Sequence, residues 1–399
     1  MVGTPVTAER PRQAPDRQLR IAQVITKFTA GAGGITLRGV LGLDPERYAI
    51  TVLAAAGGSF ASRAQEAGIE VVPLRHMSAE LSPRSDARGV AELTAHLEGG
   101  SFDLVHTHSA KAGALGRVAA RRAGVPTVVH SIHGFPFHEF QSPLRRRSYL
   151  AIERRLARIT DYFLTDGTFV AAEAVRLKIA RPDRIRAIAS PVDDDIPVAS
   201  QANRRRARLA LGIPPGVKVI GTAARLDPQK APLDLVRAVA DLPRNDVRLV
   251  WLGDGELRSQ TERLIERLGI GHRCVLAGER ADATRLLPAF DVFALSSLYE
   301  GLPCAAVEAM KCGVPVVATA VNSVPEVVVP GRTGLLARPS DPDSLRRAIS
   351  YLLDHPAEGA RMARAARAHI GERFSQPVIG EDLEQAYDTA LTLAAGGRA

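Results

Sequence analysis

Short apolar runs alternate with longer helix-forming segments along almost the whole chain, and this alternation constrains the fold more than any other feature. Apolar runs at residues 19–28, 48–54, 69–73, 102–106, 127–132, 159–165 and 185–188 are each followed by a turn or a helical segment. The pattern then restarts at 217–223, 247–252, 274–277, 289–297 and 314–319. Continuous apolar runs predict strands covered on both faces, and crossovers of helical length predict parallel pairing. The expected fold class is therefore α/β, with two doubly wound Rossmann-like domains facing across a cleft. Residues 190–199, SPVDDDIPVA, are rich in Pro and Asp and read as the connection between the two. The expected division is a disordered lead over 1–18, a first domain over 19–196 and a second over 197–378. A C-terminal helix over 379–399 is free to pack back on the first domain.

Composition narrows the class. At 399 residues, with 46% hydrophobic and 24% charged residues, the chain can bury two ordinary cores. No apolar run reaches the roughly 18 residues that cross a bilayer. The first twenty residues lack the apolar core of a secretion signal. Three cysteines (Cys274, Cys304, Cys312) without metal-ligand spacing fit reduced thiols, so a cytoplasmic enzyme is expected. The net charge of +9 is concentrated between Lys111 and Thr160. There, Arg145, Arg146, Arg147, Arg154, Arg155 and Arg158 interleave with Leu144, Leu150, Ile152 and Leu156, as in an interfacial helix. No RNA-binding or helix-turn-helix pattern accompanies this basic segment, 144–158. An anionic membrane surface or a phosphate-bearing acceptor is the expected partner, and nucleic acid is not.

The residues that could carry chemistry sit at strand ends, where open α/β sheets bind ligands. Glu300 follows the run at 289–297 and Glu308 lies eight residues on, inside the next helix. The amides of Leu302, Cys304 and Ala305, after Gly301, are expected to point at an anion in the crevice. A carboxylate beside that anion suits a polyol, and a phosphate flanked by polyols describes a nucleotide sugar. Arg225 and Lys230 follow the first strand of the second domain; a fork of donors with a mobile point charge suits a diphosphate without a metal. His133 ends a strand of the first domain beside Gly134, placed to donate to a sugar hydroxyl or phosphate. Gly31, Gly33 and Gly34 make a turn that lets backbone approach a phosphate or sugar, without the dinucleotide fingerprint. Neither the histidines (His106, His108, His130, His133, His138) nor the Asp193/Asp195 pair is expected to hold a metal.

Several segments together resemble the retaining nucleotide-sugar glycosyltransferases of family 4, which have the GT-B fold. They are ARLDPQK (224–230), GDGELR (253–258), SLYEGLPCAAVEAM (297–310), GVPVVAT (313–319) and GRTGLL (331–336) in the second half. GAGGI, residues 106–126 and HSIHGFPFHE (130–139) carry the likeness in the first half, which points to the branch that builds bacterial surface polysaccharides. The resemblance implies that Glu308 holds the nucleotide ribose and that Arg225 and Lys230 hold the diphosphate. It implies that Glu300 and His133 contact the donor sugar near its reacting carbon, with Gly33 and Gly34 approaching from the other domain. The chain departs from the family at Ala231, where Gly is frequent, and at Asn322-Ser323, where Gly-Gly often precedes the last acidic residue, here Glu326. The implied reaction is transfer to a glycan or lipid-linked acceptor with retention, without a required metal or cofactor, at the inner membrane face or in the cytoplasm. A nucleotide-sugar epimerase of the same architecture, or a non-catalytic nucleotide-sugar or RNA-binding protein, are the alternatives.

Overall fold

The structure is a computed structural model that describes residues 17–29, 31–78, 80, 82–135, 137 and 141–396. The expected N-terminal lead, apart from Arg17 and Gln18, and the expectation for His138 lie outside the described residues.

The first sheet has seven strands: β1 (Leu19–Ile25), β2 (Tyr48–Ala55), β3 (Glu70–Leu74), β4 (Leu104–His108), β5 (Thr127–Ile132), β6 (Tyr162–Thr165) and β7 (Ile185–Ala187). Their order is β3-β2-β1-β4-β5-β6-β7, with every pairing parallel. The second sheet contains β8 (Lys218–Ala223), β9 (Val247–Leu252), β10 (Cys274–Leu276), β11 (Val292–Leu295), β12 (Val316–Thr319) and β13 (Leu335–Ala337). It runs β10-β9-β8-β11-β12-β13, again all parallel. Both orders reverse direction next to their first strand, between β1 and β4 and between β8 and β11. Such a switch point opens a crevice at the carboxyl ends of the strands.

Side-chain alternation along β1 shows why both faces must be covered. Ile21 and Ile25 pack on one side, Ala22 and Val24 on the other, and all four are buried. Gln23, on the Ile21 side, is also buried and is the polar exception. In the second sheet the run at 289–297 divides. Leu287–Ala289 forms a single 3-10 turn around Pro288, which leaves Val292–Leu295 as the strand. The strand β13 was not expected; its three residues are too few to stand out beside the turn at 331–334.

The C-terminal helix, Gln376–Gly396, crosses back to the first sheet. Ile379, Leu383, Ala386, Tyr387 and Ala390 complete the core beneath β1. The helix meets helix Ala32–Leu41 through paired glycines: a Cβ on Gly380 would stand 1.8 Å from the Gly42 carbonyl oxygen. Ion pairs from Arg47 to Glu384 and Asp388, and from Arg186 to Asp382, flank this contact.

Candidate active site at the facing strand ends

The turn after β8 and the turn after β11 meet at the switch point of the second sheet. Asp227 accepts from the Lys230 amide and starts the one-turn 3-10 helix Pro228–Lys230. Its C-cap, Ala231, takes the left-handed conformation at φ 44°, which Gly adopts with less strain. Gln229 spans the two turns, accepting from Leu298 N through its carbonyl and donating to the Tyr299 carbonyl from its side chain. The Ser296 hydroxyl donates to the carbonyls of Lys230 and Ala231. These bonds bring Lys230 Nζ within 2.5 Å of Glu300 Oε1, and Ser297 Oγ donates to the same oxygen at 2.6 Å. Glu300 is 7% exposed, and Lys230 is its ion-pair partner there.

Arg225 is set differently. Its side chain is 70% exposed and pairs with Asp227 at 2.9 Å at the rim of the crevice. The two cations of the turn are thus separated into a partly buried partner of Glu300 and an outer group at the entrance. The backbone after Gly301 also differs in one respect from expectation. Helix Cys304–Cys312 begins after Pro303, and the Cys304 amide already donates to the Leu302 carbonyl at 2.9 Å. Proline at the start tightens the first turn, so Cys304 N is not an open donor to an anion. Leu302 is buried; Cys304 and Ala305 are partly buried on this helix start.

Glu308 lies one turn into the helix, partly buried. Burial pushes its carboxyl up to about 7, against the pull of Arg38 and with the push of Asp193. Arg38 comes from helix Ala32–Leu41 of the first domain, below Gly33 and Gly34. A Cβ on Gly34 would sit 3.2 Å from the Arg38 guanidinium, and one on Gly33 would press on the Lys27–Phe28 backbone at 3.0 Å. Arg38 donates to the Pro191 carbonyl and pairs with Asp193, which also meets Arg63. Asp193 therefore serves two arginines of the first domain. Lys311, one helical turn beyond Glu308, donates to the Asp193 carbonyl and pairs with Asp194.

His133 closes the site from the first domain. Its Nδ1 lies 3.0 Å from Asp166 Oδ1, and its Nε2 is 3.0 Å from His108 Nδ1. His108 continues to Gln23 at 2.7 Å, and Gln23 donates to the Tyr387 hydroxyl at 2.8 Å. That hydroxyl also bonds His106 Nδ1, whose ring reaches Ser131. Burial holds His106 down to about 3 and His108 well below the usual range, so both stay neutral. His133 is thereby oriented through both ring nitrogens, and with Asp166, Thr36 and Ile188 it lines a small cavity of about 50 Å³ walled by the first domain and the C-terminal helix. Sequence reading missed Asp166, Asn322 and Arg38. Asp166 follows β6 as His133 follows β5, so the strand-end rule applied to β6 would have found it. Asn322 and Arg38 lie on a turn and inside a helix, with no local signal.

The two domains touch at these same turns. A Cβ on Gly301 would stand 2.2 Å from the His133 carbonyl oxygen, and one on Gly167 would stand 2.2 Å from Ser323 Oγ. Among the described residues no group of three His, Cys, Asp or Glu side chains is arranged to hold a metal. The three cysteines are free, and burial pushes their thiols up, Cys274 to about 11 and Cys304 and Cys312 to about 12.

Residues 203–369 match the family described as glycosyl transferases group 1, and residues 30–191 match the glycosyl transferase 4-like domain. The UDP-Gal:alpha-D-GlcNAc-diphosphoundecaprenol alpha-1,3-galactosyltransferase of Escherichia coli is 32% identical over 276 residues, covering 67% of this chain and 71% of that protein. The D-inositol 3-phosphate glycosyltransferase of Mycobacterium marinum is 32% identical over 330 residues, covering 78% and 69%. Among solved structures, Anabaena HepE in complex with UDP-glucose superposes with a TM-score of 0.82 at 23% identity, over 93% of this chain and 100% of that one. Sucrose-phosphate synthase from Thermosynechococcus elongatus gives 0.82 at 20% identity, over 94% and 100%. Both share the fold of two facing Rossmann-like domains.

Proposed function

The chain belongs to the group 1 glycosyltransferases, and on that premise we propose that it moves a sugar from a nucleotide donor to a glycan or lipid-linked acceptor, with retention and without a required metal. The observation that carries this reading is the partly buried Lys230–Glu300 pair at the second sheet's switch point, across from His133. A donor lying there would have its ribose at Glu308, its diphosphate along the Lys230 turn with Arg225 at the rim, and its sugar between Glu300 and His133. Gly33 and Gly34 would leave room for its phosphates from the other side.

Charge builds up on the departing phosphate as the bond from the sugar's anomeric carbon to the phosphate oxygen breaks. Lys230 and Arg225 would meet that charge, a preorganised electrostatic contribution. The acceptor oxygen attacks from the same face, and its proton passes to the departing phosphate oxygen, so the configuration is retained. Asp166 and His108 hold the His133 ring against rotation beside the reacting carbon.

The acceptor side carries the finer part of the reading. Helix Pro143–Ala157 turns Glu153 inward onto the buried Arg117 at 2.9 Å. Its outward side presents Leu144, 77% exposed, and Ile152, 49% exposed, among exposed arginines. Apolar side chains ringed by arginines suit an anionic bilayer surface, where a lipid-linked acceptor resides. Among the described residues no helix is long and apolar enough to cross a membrane.

A panel of nucleotide sugars, screened by thermal shift and then by product analysis with and without acceptor, tests the reading. Lys230→Ala should lower transfer by well over tenfold, as the loss of a charge clamp does. Near-normal turnover in that variant would count decisively against it. Epimerisation of the donor's sugar without acceptor would support the epimerase alternative, and RNA affinity without turnover the binding-protein one.

A further inference from the structure

One carboxylate ties the two halves of this site together. Glu326 follows β12 in the second domain, yet its oxygens accept from the amides of Thr168 at 3.0 Å and Phe169 at 2.9 Å in the first. Those amides open helix Thr168–Arg176, whose own N-cap, Gly167, has no side chain to offer them. A carboxylate from across the crevice thus fills the role of an N-cap, where the helix dipole also favours negative charge. Burial works against the charge, but hydrogen bonds, those from the Phe169 and Thr168 amides foremost, together outweigh it and hold the carboxyl below its ordinary range.

The position of this contact gives it meaning. On the second-domain side, Asn322 lies on the same short turn, in the left-handed conformation at φ 42°, and its side chain accepts from the Glu300 amide at 2.9 Å. On the first-domain side, Thr168 lies two residues after Asp166, whose carboxylate orients His133. The cap therefore joins the turn that fixes Glu300 to the turn that fixes His133. Gly167 makes the approach possible, since any side chain there would strike Ser323.

We propose that Glu326 is a positioning residue, a cross-crevice helix cap that holds the domains in the arrangement where Glu300 and His133 flank the donor's reacting carbon. The proposal rests on the transferase reading and names what keeps that site assembled. Capping bonds to a charged group, with the dipole contribution, are together worth roughly tenfold in an equilibrium. Water exclusion depends on the same closure, so a loosened cap should admit donor hydrolysis.

The test compares wild-type protein with Glu326→Gln and Glu326→Ala. Three quantities are read: transfer to acceptor, hydrolysis of donor alone, and amide hydrogen exchange over residues 167–170. Circular dichroism and melting confirm that the variants fold. The expected result is a roughly tenfold fall in kcat/KM for transfer in Glu326→Gln and a larger one in Glu326→Ala. The ratio of hydrolysis to transfer should rise, and exchange at 167–170 should quicken, which a remote loss of stability would not produce. Transfer within twofold of wild type, or an unchanged hydrolysis ratio in folded variants, would overturn the cap. Wild-type protein that turns over no nucleotide sugar would instead sink the transferase reading, and the proposal with it.

Discussion

Glu308 shows how one residue can report the chemistry of the site. Its carboxyl is raised from 4.5 to about 7 by burial, so the folded protein holds a proton there that the unfolded chain releases. Folding takes up that proton between pH 4.5 and 7, and stability contributed by the neutral form is lost as pH rises across that window. The size is about 2 kcal/mol after allowing for partial exposure. Glu308→Gln should flatten this dependence, which denaturant titration at several pH values would register. A ribose diol is bound best by the ionised carboxylate, so nucleotide-sugar affinity should climb through pH 7 in the wild type and lose that slope in Glu308→Gln. A binding curve that falls with pH would remove Glu308 from the ribose. Glu300 contrasts with it: the pairing with Lys230 was not readable from an eight-residue spacing, because that partner comes from another turn, while Ser297 lies three residues before it in the same one.

Among the elements, helix Pro143–Ala157 shows what periodicity can and cannot say. Its basic and apolar residues are evident in sequence, and the expected limits at 145 and 158 fall within two residues of the observed ones. Sequence could not say which apolar residues face inward. Leu156 packs into the domain while Leu144 and Ile152 stand outside, because Glu153 is drawn to Arg117. Replacing Leu144 and Ile152 together by Ser should weaken sedimentation with phosphatidylglycerol vesicles at least several-fold, since each buried aliphatic side chain is worth about 1.5–3 kcal/mol. Turnover of a soluble acceptor should be unaffected. Equal vesicle binding by wild type and variant would remove the membrane surface from the reading. The strand β13 and the 3-10 turn at Pro288 were among the elements that sequence reading mislaid, as was the helix Gln201–Ala210. The first two are short, and short elements are fixed by their neighbours more than by their own residues.

At the scale of the molecule, the contact between the facing turns of the two domains matters most. Gly301 sits against the His133 carbonyl, where a Cβ would come within 2.2 Å of the oxygen and 3.0 Å of the carbon. Gly301→Ala would hold the domains apart by roughly an ångström, a displacement that can cost on the order of a hundredfold in rate. Each domain should keep its melting behaviour, since neither core is touched. A variant with transfer within threefold of wild type would show that the facing turns do not meet during catalysis. The connecting segment works on the same scale: Asp193 and Asp194 bind Arg38 and Arg63 of the first domain and Lys311 of the second. An acidic, Pro-rich stretch that reads as a passive connection is an electrostatic junction between the domains.

The sequence by itself determined the class of fold, the strand ends where ligand would bind, and the motifs that assign the family. Each is a local matter, since periodicity, turn chemistry and motif spacing act over a few residues. Tertiary structure alone decided that Lys230 meets Glu300 while Arg225 stays at the rim, that His133 is held by Asp166 and His108, and that Glu326 caps a helix of the opposite domain. Those facts depend on which turns are brought together when two sheets close, and residues 70, 33 or 158 positions apart carry no sign of one another until they do.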